Sequence, residues 1–188
     1  PEARAAELLC ADQPPRPLTR LDPAGLFALL VDNKTAAAYR FRFHFADSPE
    51  FIAADPYRFS PGLGEFDLHL IGEGRHQRLF DYLGAHPRVY EGLAGVSFAV
   101  WAPNAKHVSV VGDFNDWNRT SHPLQPRESS GIWEGTLADV KQGDLYKYYI
   151  ESSSSSYCVE KADPFGTRHE CPPATASVVW DLDYEWND

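Results

Sequence analysis

The sequence predicts an all-β chain: two tandem β-sandwich modules joined by a short helical connector, the first module lacking its opening strand. Three observations lead there. Short runs rich in β-branched and aromatic residues are punctuated by Gly, Pro, Asn and Asp; the chain repeats itself; and a single amphipathic stretch separates the two copies.

The repeat sets the order of elements. Pro1 to Leu9 matches Pro103 to Val111 in its sequence of apolar, basic and small residues. Gly25-Leu26-Phe27 matches Gly131-Ile132-Trp133, Tyr39 to Phe43 matches Tyr146 to Ile150, and Ala54-Asp55-Pro56-Tyr57 matches Ala162-Asp163-Pro164-Phe165. The offset creeps from 102 through 106 and 107 to 108, as small loop insertions would produce. The second copy opens with the strand-like run Gly95 to Trp101, which has no counterpart before Pro1. The expected organisation is a first module over 1–73, a helical connector over 74–90 and a second module over 91–188.

Within the second module, Val96 to Trp101, Val108 to Val111, Trp133 to Leu137 and Leu145 to Glu151 read as strands, a spacing suited to two packed antiparallel sheets of immunoglobulin-like type. In the connector, Leu79, Phe80 and Leu83 followed by Gly84 suit a short amphipathic helix over 74–85. Ser152 to Ser156 reads as a hairpin loop between two strands.

Composition excludes several classes of function. The 188 residues carry a formal charge of −10, with no basic stripe of the kind that phosphate or anionic lipid binding needs. No apolar run approaches the roughly 20 residues of a membrane span, and the first ten residues lack the pattern of a secretory signal. The three cysteines, Cys10, Cys158 and Cys171, form no Cys-x-x-Cys pair, which fits a reducing, cytoplasmic setting without a structural metal. The lack of Met, even at position 1, suggests a segment that begins within a longer protein. The expected partner is neutral or basic, and no cofactor is indicated.

One segment stands out chemically. Val110 to Asn118 runs from β-branched residues into a polar turn that holds Trp117. A Trp with few apolar neighbours can stack on the C–H face of a pyranose while amides and amines bind its hydroxyls; it can equally fold back over the sheet edge, and the residues alone leave both open. Lys147, between aromatics on the Tyr146 to Ile150 strand, is a candidate neighbour. Trp133 has a counterpart in Phe27, which points to a core position for both, and Trp101 in its apolar run reads as packing. Asp55 and Asp163 recur before a proline at the same place in each copy and read as turn formers. No carboxylate pair, His-rich metal pattern, nucleophile elbow or phosphate loop is present, so no catalytic or metal-ligating residue is assigned.

Phe98 to Ala105, Val108 to Trp117, Gly131 to Glu134 and Leu145 to Tyr148 closely resemble the glycogen-binding β-sandwich that precedes the barrel of bacterial glycogen branching enzymes. Asp55 to Phe59, Gly62 to Leu70 and Leu83 to Pro87 resemble the first sandwich and connector of the longer members. The resemblance implies a non-catalytic front region that binds α-1,4-glucan and packs against a catalytic barrel in the same polypeptide. That barrel, with the family's catalytic Asp and Glu, would follow Tyr184 to Asp188 and needs roughly 250 further residues. It also implies that Trp117 and Lys147 bind sugar, with Asn118 and Thr175 as polar contacts and Tyr157 as the second aromatic. A stand-alone glycogen-targeting module and a structural spacer are the competing readings.

Overall fold

The computed structural model describes residues 3–10, 13–31, 39–46, 49–55, 59–90 and 93–183. Pro1, Pro56, Tyr57 and the Tyr184 to Asp188 end, which entered the sequence reading, lie outside the described residues. Strands dominate, and the chain divides into two compact units, Pro1–Arg58 and Phe59–Asp188.

The first unit holds β1 (Ala5–Cys10), β2 (Gln13–Pro17), β3 (Thr19–Asp22), β4 (Leu26–Ala28), β5 (Tyr39–His44) and β6 (Phe51–Ala54). Four strands form an antiparallel sheet in the order β2-β1-β5-β6, and β3-β4 is a separate ribbon. Side chains alternate across the sheet. Ala6 and Leu8 are buried opposite Phe43 and Phe41, whereas Glu7 turns to the other face and meets Arg42 at 3.3 Å.

The second unit is a sandwich. One sheet, β10-β11-β8-β7, is built from β7 (Gly84–Tyr90), β8 (Leu93–Trp101), β10 (Gln125–Pro126) and β11 (Ile132–Leu137). The other centres on β12 (Leu145–Ser152), flanked on one edge by β9 (Ala105–Gly112) and on the other by β13 (Cys158–Lys161) and β15 (Ser177–Val178), with β14 (Arg168–His169) beyond β15. Val96, Phe98 and Val100 from one sheet pack against Val108, Val110, Tyr146 and Tyr148 from the other. A third layer covers the outer face of the first sheet. There Leu63 and Leu83 bury against Ala99 and Ile132, joined by Leu68 and Ile71 of α1 (Glu65–Gly72).

Three expectations change. The helix precedes the stretch that suggested it: α1 ends where Gly74 turns to φ +66°, only a 3₁₀ turn (Leu79–Asp81) follows, and 84–90 is a strand paired with β8. Leu79 and Leu83 are apolar because the outer layer needs them, and Pro87 is tolerated because β7 is an edge strand. Phe27 is half-exposed, since β4 pairs among the described residues only with β3, whereas Trp133 is buried against β8 and donates its indole N–H to the Ala102 carbonyl at 3.1 Å. Trp101, at the end of β8, is 61% exposed and is not core.

Strand pairings in the two units can be compared at the positions matched in the sequence. In β1–β5, Cys10 faces Tyr39 and Ala6 faces Phe43; at the matched positions of β9–β12, Gly112 faces Tyr146 and Val108 faces Ile150. Arg40 faces Ala54 in β5–β6, while one step along the matching β12–β13 ladder Tyr148 faces Lys161. Tyr39 donates to Asp55 Oδ2 at 2.6 Å, and Tyr146 donates to Asp163 Oδ2 at 2.7 Å. Asp163 does cap a turn, accepting the Phe165 N–H at 2.8 Å, but it is also a buried anchor that receives the Tyr148 hydroxyl at 3.1 Å.

Candidate carbohydrate site

The site is built on the outward face of β12. Tyr146 and Tyr148 point into the core, so Lys147 and Tyr149 must point away from it. β9 ends at Gly112 beside the start of β12, and the chain turns through a 3₁₀ turn (Asp113–Asn115) into Asp116 and Trp117.

Asp116 and Trp117 are both left-handed, at φ 52° and 57°. For residues with a Cβ this conformation costs roughly 1–2 kcal/mol each, so the surroundings must impose it. Asn115 supplies much of that constraint. Its Oδ1 accepts the Gly112 N–H at 3.0 Å, while its amide donates to the Val110 carbonyl at 3.0 Å and to His122 Nδ1 at 2.9 Å. Burial pushes the His122 imidazole below its ordinary range, only partly opposed by the Asp139 charge, and the neutral ring keeps an acceptor for that amide.

Trp117 is thereby held half-buried on the rim, its N–H donating to the Gly112 carbonyl at 3.0 Å and its indole Nε1–H to Asp113 Oδ1 at 3.2 Å. Lys147 Nζ lies 6.0 Å from the indole centroid and donates to Thr175 Oγ1 at 2.8 Å. The structure thus brings Trp117, Lys147 and Thr175 together. Asn118 follows Trp117, but its Oδ1 already accepts the Thr120 N–H and hydroxyl, both at 2.9 Å, so it shapes the turn.

Tyr157 lies elsewhere. Its carbonyl accepts the Ser152 N–H at the far end of β12. Lys147 and Ser152 are five residues apart, about 17 Å along a strand at about 3.3 Å per residue. Tyr157, 60% exposed, lines a groove of about 560 Å³ with Trp101, Pro103, Asn104, Ile150 and Pro164. Asp113, which holds the indole, was not singled out by the sequence reading, and Trp101, read there as packing, is exposed. Asp113 lies four residues before Trp117 and was within reach of it. Among the described residues no group of three or more His, Cys, Asp or Glu is placed to hold a metal.

Residues 82–166 match the family model of carbohydrate-binding module 48, described as the isoamylase N-terminal domain. The whole chain is 47% identical to 25% of the 1,4-alpha-glucan branching enzyme GlgB of Paramagnetospirillum magneticum. Of the chain, 89% is 48% identical to 21% of GlgB 1 of Streptomyces coelicolor, and 92% is 49% identical to 24% of GlgB of Cereibacter sphaeroides. The chain therefore spans about a quarter of the length of the relatives it matches. Over residues 82–166 it matches carbohydrate-binding module 48, and over its whole length it is similar to about a quarter of the length of 1,4-alpha-glucan branching enzymes.

Proposed function

We propose that this chain binds α-1,4-glucan, such as glycogen and malto-oligosaccharides, for a cytoplasmic branching enzyme whose catalytic barrel belongs to the same polypeptide. The parent would cut α-1,4-glucan and rejoin it as an α-1,6 branch; this region would hold the polymer and pack against the barrel. The observation that carries the reading is the half-buried Trp117 indole beside Lys147 and Thr175. The flat ring suits the C–H face of a glucose, and the ammonium and hydroxyl suit its oxygens. A neutral ligand also fits a chain of charge −10. The matching registers of β1–β5–β6 and β9–β12–β13 support reading the first unit as a divergent copy of the second. Its equivalent of the Trp117 turn, around Pro14 and Pro15, has no aromatic, so the site belongs to the second copy.

Titration calorimetry with maltoheptaose tests this. Trp117→Ala should weaken binding by roughly 1–3 kcal/mol with little change in Tm, and Lys147→Ala should weaken it less, through one lost hydrogen bond. Unchanged affinity in Trp117→Ala would place the platform elsewhere.

A further inference from the structure

We propose that Arg119 extends the glucan platform beyond Trp117, offering hydroxyl-binding donors from a guanidinium laid on Tyr149 and fixed by Glu160. The inference rests on the glucan-binding reading above and names a contact for the next sugars along the chain.

The geometry repeats at two successive outward positions of β12. At Lys147, the Trp117 ring lies 6.0 Å from the ammonium. Two residues on, at Tyr149, the Arg119 Cζ lies 4.9 Å from the phenol centroid, so an aromatic and a cation meet again on the same face. The two positions are about 7 Å apart along the strand. Trp117 and Arg119 come from one turn, whose backbone is tied to β9 where the Ser109 hydroxyl donates to the Arg119 carbonyl at 2.6 Å.

Glu160 stands directly across from Tyr149 in the β12–β13 pairing. Its Oε1 receives Arg119 Nε–H at 2.9 Å and lies 2.7 Å from Nη2. That engages two of the five guanidinium N–H donors and leaves the remainder at a side chain that is 58% exposed. An exposed ion pair contributes little stability by itself. Its consequence here is to hold a flat, multi-donor group in one orientation next to the indole, so that little freedom is lost when a sugar hydroxyl arrives.

The test uses the intact chain and a length series from maltotriose to maltoheptaose, read by calorimetry together with melting curves. Arg119→Ala should weaken maltoheptaose about fivefold, the scale of one solvent-exposed hydrogen bond, and maltotriose less, flattening the length dependence with Tm nearly unchanged. Arg119→Lys should not restore it, because an ammonium lacks the planar fork. Glu160→Gln should give a smaller loss of the same length-dependent kind. If Arg119→Ala binds the series like the parent while Trp117→Ala is impaired, the extension is wrong and the Trp117 platform stands. If the parent chain binds no oligosaccharide, both readings fall.

Discussion

Asn115 and His122 brace the turn that carries Trp117. The Asn115 amide donates to His122 Nδ1, and that acceptor exists only while the imidazole is neutral. Burial, the dominant cause, holds the folded-state pKa below the ordinary imidazole value of about 6.5. The unfolded chain therefore takes up its proton first as pH falls. The stability contributed by neutral His122 is complete above about 6.5 and is lost as pH falls from there towards the folded-state pKa. Maltoheptaose affinity and Tm should both decline between pH 7 and pH 5, and His122→Phe, which cannot titrate, should flatten that dependence in Tm. An equally steep decline in the variant would assign it to another group. Trp117 and Lys147 could be singled out as candidates because a Trp in a polar turn and a Lys between aromatics are local signals. Arg119 and Glu160 were not, since 41 positions separate them and only strand pairing brings them together.

The elements show why parts of the fold could be read and parts could not. The β9–β12 ladder could be read because Val108 to Val111 and Leu145 to Glu151 are runs rich in β-branched and aromatic residues. In the connector the leucines satisfy helical spacing while serving a mixed layer of α1, a 3₁₀ turn and the residues just before β7. A different constraint governs the junction between β9 and the Trp117 turn. Gly112 is extended, at φ −179°, so its backbone needs no glycine for conformational reasons. It is needed for space: a Cβ there would collide with the Leu145 carbonyl oxygen and come within 2.6 Å of the Phe114 ring. Gly112→Ala should cost about 1–3 kcal/mol, as overpacking does, and should weaken maltoheptaose binding by displacing the turn that follows. Gly143→Ala separates this cause from backbone strain. Its Cβ meets nothing within 4 Å although its φ is +98°, so it should cost stability while sparing affinity.

At the scale of the whole chain, the two units differ in what holds them. Among the described residues of the first unit only Ala6 and Leu8 are buried core, and its sheet is stitched on one face by the Glu7, Arg42, His44 and Glu50 ion cluster. The second unit contains both buried clusters, the interlocked Phe98, Tyr146 and Tyr148 rings, and Asp163 beneath them. Burial outweighs the hydrogen bonds to the Asp163 carboxyl and keeps its pKa above the usual carboxylate range, a burden that only a well-formed core sustains. The second unit also falls within the usual size of an independent domain and holds every residue of the Trp117 site. A chain starting at Phe59 should therefore unfold in one cooperative transition by circular dichroism and bind maltoheptaose within about twofold of the full chain, since area and contacts at the site are unchanged. A fragment from Pro1 to Arg58, with two buried apolar residues among those described, should show no such transition on its own. Loss of cooperativity in the Phe59 fragment would show that the first unit contributes to the folding of the second, and loss of affinity with folding intact would move the glucan contacts out of the second sandwich.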